Sequence, residues 1–442
     1  MNVQCQQYLP TKLRKMFLST CSLGMSALFV AGSAHGNDFS PANHIGGDWG
    51  GPRAHLSNGG FNYKVGYFSQ TAHNFSGGEN NTTANAAQIF LGAYFDLEKL
   101  VGWPGADFTV EITNRNGELI NNKAELPFLL QSQQIFGRGN VTRLTQFSLN
   151  QRLFKDHLRF KVGRIFPSSD FFAQSCAFQH LTFCSGGSSN FISSNWYGDP
   201  LSALGGQVTF TPDKRWHFKV GAYDANPQNA DTSQGLRLST SGGESGTLLV
   251  SEVEYQAKFA NGLDGNYRIG IARSSIDKNN VINSAGLPSG LTSDITEIED
   301  TDNAWFLNFE QQITRNAWGG GLRMFASLIN PDDQVSQIGS VAALGGFYVG
   351  PFKSRPNDRV GLAVGRNSVS SRITSAQERF NALEGVESID VQSDEYPIEL
   401  NYNFVITPAI EVMPSIQYIV SPNGVNDEED AVILGLQFSL NF

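Results

Sequence analysis

The last twelve residues, AVILGLQFSLNF (Ala431–Phe442), alternate in character. Val432, Leu434, Leu436, Phe438, Leu440 and Phe442 take one set of positions, and Gly435, Gln437, Ser439 and Asn441 take the other. Successive side chains of an extended chain point to opposite faces, so the segment reads as a strand with one apolar and one polar side. The same period recurs upstream. Phe61, Tyr63, Val65 and Tyr67 alternate with Asn62, Lys64 and Gly66. Leu158, Phe160 and Val162 alternate with Arg159, Lys161 and Gly163, and Trp216, Phe218, Val220 and Ala222 with His217, Lys219 and Gly221. Ile410, Val412, Pro414, Ile416 and Tyr418 alternate with Glu411, Met413, Ser415 and Gln417.

About sixteen such segments are predicted, an even number as in single-chain bacterial barrels. They lie near 61–68, 87–97, 107–114, 144–153, 158–165, 203–211, 216–224, 247–258, 265–274, 303–313, 319–328, 342–349, 358–366, 395–405, 409–419 and 431–442. Short connections (155–157, 211–215, 260–264, 314–317, 407–408) alternate with long ones (115–143, 166–202, 225–246, 275–302, 367–394). A soluble sandwich has no reason to keep every second connection short. A membrane barrel does, with short periplasmic turns and long extracellular loops. It must also be closed, because an open edge in lipid leaves backbone groups unpaired. The predicted fold is therefore all-β: a transmembrane antiparallel β-barrel of about 16 strands. Aromatics near strand ends (Phe61, Phe95, Phe108, Trp216, Tyr267, Trp305, Tyr396, Tyr418, Phe442) suit the two membrane interfaces.

The N-terminus agrees with export. Lys12, Arg14 and Lys15 precede the largely apolar Met16–Val30, and small residues follow at 31–34. That order is a secretory signal, too short to span a bilayer, with cleavage expected near Ala34 to Gly36. The expected organisation is a cleaved signal at 1–34, a periplasmic segment with a short helix at 35–60, and the barrel at 61–442. The formal net charge is -10, and losing the three basic residues of the signal makes the remainder more negative. No Lys/Arg-rich stripe occurs, which argues against a nucleic-acid partner. Cys5 and Cys21 leave with the signal, whereas Cys176 and Cys184 travel to an oxidising compartment and are expected to pair.

The polar side carries charges of both signs: Lys64, Glu111, Arg159, Lys161, Lys219, Glu252, Glu254, Arg268, Glu310, Arg323, Glu399 and Glu411. Facing lipid near the midplane, a Lys or Arg would cost roughly 2–4 kcal/mol, so these residues mark a wet interior. A barrel of this size leaves an aqueous channel. Loop 166–202 is the longest and holds Phe171, Phe172, Phe178, Phe183, Phe191, Trp196 and Tyr197 with both cysteines. Such aromatic density suits a loop folded into the lumen, although packing on neighbouring outer loops would also bury it. The acidic run 292–302 reads as a solvated loop whose spacing does not match a calcium-binding loop. No HExxH, zinc spacing, GxSxG elbow or Walker loop appears. The residues therefore point away from an enzyme and imply no cofactor.

The segment Gly47-Asp48-Trp49-Gly50-Gly51-Pro52-Arg53-Ala54-His55-Leu56 resembles the GDWGG-x-R-x-x-L opening of the carbohydrate-selective (OprB-like) porins. Pro52 suits the first turn of a short helix. Val162-Gly163-Arg164-Ile165 leading to Asp170-Phe171-Phe172, the Cys176/Cys184 pair, and Gly221-Ala222-Tyr223-Asp224-Ala225-Asn226-Pro227 extend the likeness. The resemblance implies a sixteen-stranded channel that passes mono- and oligosaccharides by diffusion through a narrowed, sugar-binding pore. It implies no cofactor. The expected partners are sugar solutes, outer-membrane lipid and lipopolysaccharide, and the assembly machinery that reads Phe442. Monomer and homotrimer both stay open. Candidate pore-lining and sugar-binding residues are Arg159, Lys161, Arg164, Asp170, Trp196, Lys219 and Asp224, which flank or belong to the long loop. A general or ion-preferring porin is the alternative, and a barrel enzyme or adhesin a more remote one.

Overall fold

A computed structural model describes residues 40–442, except 137–138, 174–175, 185–191, 193–195, 239–241, 244, 260–261 and 385–388. The expected signal, 1–34, lies outside the described residues. Strands run over Phe61–Ser76 (β1), Thr83–Asp96 (β2), Ala106–Gly117 (β3), Val141–Leu153 (β4), Leu158–Ile165 (β5), Ala203–Phe210 (β6), Trp216–Asp224 (β7), Thr247–Lys258 (β8) and Asp264–Ser274 (β9). Lys278–Asn283 (β10) and Thr296–Glu299 (β11) form a separate two-stranded sheet in an outer loop. The barrel resumes with Asp302–Gln312 (β12), Gly321–Asn330 (β13), Ile338–Val349 (β14), Arg359–Val369 (β15), Asp394–Thr407 (β16), Ile410–Val420 (β17) and Ala431–Asn441 (β18). Helices are short: Pro52–Asn58 (α1), Leu97–Val101 (α2), Ile120–Lys123 (α3) and Ser371–Glu384 (α4).

Sixteen strands close into one barrel, each antiparallel to its chain neighbour, with β12 against β9. Closure comes from β18 on β1, in register from Gly66 opposite Asn441 to Asn74 opposite Ile433. No backbone edge is left for lipid to desolvate. The seven connections at one end are all short, and that end is the periplasmic one. Both described chain ends lie there. The Ile45 amide donates to the Asn441 carbonyl at 2.8 Å, and the Phe442 amide to Val65 at 2.8 Å.

The outer wall is apolar and exposed, as at Ile89, Leu91, Val162, Val220, Ile269, Ile271, Leu344 and Leu362. At its periplasmic margin the aromatics touch in sequence. Phe61 meets Phe95 (5.2 Å between ring centroids), Phe95 meets Phe108 (6.3 Å), and Phe108 meets Phe147 (4.8 Å). Further round, Trp216 meets Tyr255 (4.6 Å), and Tyr267 meets Phe309 (5.9 Å). Such rings belong at the boundary between hydrocarbon and water.

All sixteen predicted segments are strands, but β1, β2, β3, β4, β14 and β15 run three or more residues further at their outer ends than the alternation indicated. The reason lies inside the barrel. Phe68, Ala72, Ile338 and Val341 point inward yet are apolar, because outer loops pack against them. Where both faces of a strand are dry, period-two alternation disappears.

Candidate functional site: the constricted lumen

Loop 166–202 folds into the barrel. Phe171, Phe172, Phe178, Phe183, Trp196 and Tyr197 are all buried. The loop leaves β5 and crosses the lumen to the opposite wall. Phe172 packs on Phe306 of β12 (5.4 Å), and Phe178 on Phe325 of β13 (5.7 Å). Thr182 Oγ1 donates to Asn367 of β15 at 3.0 Å, and Gln179 Nε2 to the Met413 carbonyl of β17 at 2.9 Å. Glycines make room for this approach. A Cβ on Gly435 would lie 2.3 Å from Gln179 Oε1, and one on Gly361 3.1 Å from the Phe178 ring. Cys176 and Cys184 are bridged, with Cα atoms 4.6 Å apart, and staple the turn that carries Phe178 and Gln179.

Wall carboxylates hold the loop by its backbone. Glu252 accepts from the Phe172 amide at 2.6 Å. Glu399 accepts from the Gln179 and His180 amides at 2.9 and 2.8 Å. Glu395 does the same for loop 118–140, accepting from Leu129 at 2.8 Å. That second loop also enters the lumen: Gln133 Nε2 donates to the Gln70 carbonyl (2.6 Å), and Gln417 Nε2 to the Ser132 carbonyl (3.1 Å). The two loops meet where the Gln134 amide donates to Gln179 at 3.0 Å. Glu252 and Glu399 were expected on the wet wall. They do face inward, but they are dry, each accepting loop amides in place of water. The inward course of 118–140 was not anticipated. Its signal was present in the apolar residues Leu126, Phe128, Leu129, Leu130, Ile135 and Phe136.

Nearer the periplasm the inner wall is charged. Asp170 reaches down from the loop. Its carboxylate meets Lys161 at 2.7 Å and Arg159 at 3.4 Å and accepts from Ser169 Oγ at 2.5 Å. Burial opposes its charge, but Lys161 and Arg159 outweigh burial and hold the carboxyl well below the usual carboxylate range. Lys219 continues the array, 2.9 Å from Glu252 and 2.5 Å from Glu254, and donates to the Asp170 carbonyl at 2.8 Å. Arg268 lies 3.2 Å from Glu254, and Arg323 3.8 Å from Glu310. Arg152 stands opposite Arg159 in register, part-buried, with no acceptor for its Nε among the described residues. His180, by contrast, is sealed in the loop, where burial pushes it down to about 3.

The seven candidate residues thus divide. Arg159, Lys161, Asp170 and Lys219 come together. Arg164 is buried toward the outer side, donating to Ser202 Oγ (3.1 Å) and the Gln234 carbonyl (3.3 Å), and so ties two outer loops together. Asp224 accepts from Asn229 Nδ2 at 2.9 Å, at the start of the next loop. Trp196 has no exposed surface, and its ring is edge-on to Phe171 (6.4 Å) and Phe306 (5.7 Å).

The comparisons with known proteins agree with this geometry. Residues 80–442 match the family described as carbohydrate-selective porin, OprB family. Porin B of Pseudomonas aeruginosa is 34% identical over 96% of this chain and 97% of its own length. A putative porin QuiX of Acinetobacter baylyi is 33% identical over 95% of this chain and 99% of its own. The high-pH structure of Pseudomonas putida OprB superposes with a TM-score of 0.87 at 32% identity, covering 91% of this chain and 99% of that one. The closed sixteen-stranded barrel with its inward loop and these matches agree: the chain belongs to the OprB family of carbohydrate-selective porins, sugar-selective channels of the outer membrane.

Proposed function

We propose that sugars are recognised at the charged inner wall formed by Arg152, Arg159, Lys161 and Lys219 of the barrel and Asp170 of the inward loop. The observation that carries this reading is the meeting of Asp170 with Lys161 and Arg159, which sets donors and acceptors where the loop narrows the lumen. A sugar hydroxyl both donates and accepts, so a surface of mixed sign serves a neutral solute without favouring an ion. Arg152 adds a part-buried guanidinium whose Nε has no acceptor among the described residues. Each contact stays worth about 0.5–1.5 kcal/mol, weak enough for the solute to leave. Transport needs no covalent step, and none is part of this reading. The exposed Phe442 at the periplasmic rim suits engagement by assembly machinery. Trp196 acts as a packing residue that keeps the loop inside.

Single-channel conductance in planar bilayers tests the site. Glucose and short oligosaccharides should block wild-type current, and Lys161→Ala or Arg152→Ala should weaken block about threefold to tenfold. Unchanged block in both variants overturns the assignment. Liposome swelling tests selectivity itself: glucose should enter faster, relative to a charged solute of equal size, than through a non-selective pore.

A further inference from the structure

Seven of the eight strand pairs that could be fastened at the periplasmic end have a short turn there. The eighth, β18 with β1, has none, because the two strands are not consecutive in the chain. Their ladder also stops early. Its last bond runs from the Phe442 amide to the Val65 carbonyl, and below it no strand lies beside residues 61–64 of β1 on that side. Every second residue of an antiparallel strand turns its N–H and C=O toward the same neighbour. Val65 faces β18, so Tyr63 faces the same way with no strand opposite it. An unmet backbone carbonyl at the margin of the hydrocarbon is costly. We propose that segment 44–58, which carries the GDWGG motif, is a strap that takes the place of the missing turn and locks the closing seam of the barrel.

The strap holds both sides of the seam. On β18, the Ile45 amide donates to the Asn441 carbonyl at 2.8 Å, and His44 Nδ1 lies 3.2 Å from the Phe442 carbonyl oxygen. On β1, Arg53 Nη2 donates to the Tyr63 carbonyl at 3.2 Å, the group that β18 leaves open. The Arg53 guanidinium lies 4.3 Å from the centre of the Tyr63 ring and 6.0 Å from that of Trp49, and the two rings are 5.6 Å apart. Arg53 is buried, and Trp49 covers it with its far face exposed. A guanidinium held between rings and shielded from water makes a stronger hydrogen bond than an exposed one. The motif supplies this geometry. Gly51 has φ 121°, and a Cβ on Gly46 would lie 2.6 Å from Trp49 Nε1. Asp48 accepts from the Ala54 amide at 2.8 Å, and Pro52 opens α1, so the first turn of the helix aims Arg53 at the open edge.

Hydrogen exchange of the folded protein in detergent, read at single amides, provides the test. Arg53→Ala should speed exchange at Phe442 and at the register partners Tyr67 and Leu440 about tenfold. Val253 and Ile269, partners on the opposite wall, should keep their wild-type rates. Arg53→Lys keeps a charge but loses the planar fork, so the seam should exchange about threefold faster. Trp49→Ala leaves the hydrogen bond to Tyr63 in place but uncovers it. Its effect should be smaller and confined to the same amides, and it carries the test if Arg53→Ala does not fold. Lys99→Ala, exposed on the neighbouring turn, should change nothing at the seam. Wild-type seam exchange in both Arg53→Ala and Trp49→Ala overturns the proposal. Equal acceleration on the two walls overturns it as well, because it would show a general loss of stability rather than a lock on one seam.

Discussion

The two halves of the lumen are built on opposite principles. In the periplasmic half the inner wall carries Arg159, Lys161, Arg268, Arg323 and Arg359 with their carboxylate partners, and Arg152 beside them, and alternation along each strand is clean. In the outer half Leu248, Val250, Phe306, Ile329 and Val341 turn inward against Leu130, Phe171, Phe172 and Trp196 of the two entering loops, and Phe68 turns inward against Ile135 and Phe136. One barrel thus contains a wet channel segment and a dry core. The dry core positions the loop, and the wet segment meets the solute. Function in such a molecule depends on stability in a specific place: the loop must be held as firmly as a core element while Asp170, near its start, meets the charged wall.

Removing the loop should break the comparison most severely. Replacing 168–197 by a short Gly/Ser linker leaves the sixteen strands paired but takes away the core of the outer half. Single-channel conductance should rise several-fold and sugar block should vanish. A current no larger than wild type would mean that the loop does not set the constriction. Next in size is Trp196→Ala. Losing a buried Trp costs about 3–5 kcal/mol, so thermal unfolding in detergent should fall, whereas ion selectivity of the channels that remain folded should hardly change. Glu399→Gln is milder. It keeps one carbonyl acceptor but replaces the second oxygen, which also accepts from the Gln179 and His180 amides, with a donor, a loss worth about 1–2 kcal/mol. Faster proteolysis of the loop, with the barrel intact on gels, is the expected readout. In the periplasmic half, Arg152→Ala should reverse this pattern: it shifts ion preference toward cations with no measurable loss of stability.

The smallest effect comes from pH. His180 is held neutral by burial, which pushes its pKa down to about 3 from the ordinary histidine value of 6.5. Between those values the unfolded chain binds the extra proton, so the contribution of His180 is complete above about pH 6.5 and is lost as pH falls toward 3. The lowered Asp170 acts in the same direction, its contribution disappearing as acid protonates the carboxyl. Hydrogen exchange of the loop should show that His180→Gln removes the His180 share of the pH dependence between about pH 6.5 and pH 4, and identical profiles in the two proteins would mean that His180 is not sealed in the folded state.

How much of this was legible beforehand follows the same division. The charged wall is written locally: Arg159 and Lys161 alternate with Leu158, Phe160 and Val162, and each residue declares its face. The loop announced itself by aromatic density and by Cys176 and Cys184. Loop 118–140 carried a similar apolar signal but no cysteines to single it out. Trp196 and Arg164 were grouped with the pore because they flank it in sequence. Burial of the first and the outward hydrogen bonds of the second separate them from Lys161, and no spacing along the chain encodes either fact.

By itself, the sequence determined the barrel, its strand number, its short-turn end and its polar interior. Those properties depend on side-chain alternation and connection length, which are read along one strand at a time. Only the tertiary structure decided which inward residues are wet. Glu399 and Glu411 occupy equivalent alternating positions on neighbouring strands, yet one is clamped under the Gln179 and His180 amides and the other pairs with Arg359 at 2.9 Å. The difference is made by a loop that arrives from the opposite side of the barrel, more than two hundred residues away in the chain. Closure brings those walls within reach of one another, and Gly361 and Gly435 leave the space in which the loop comes to rest.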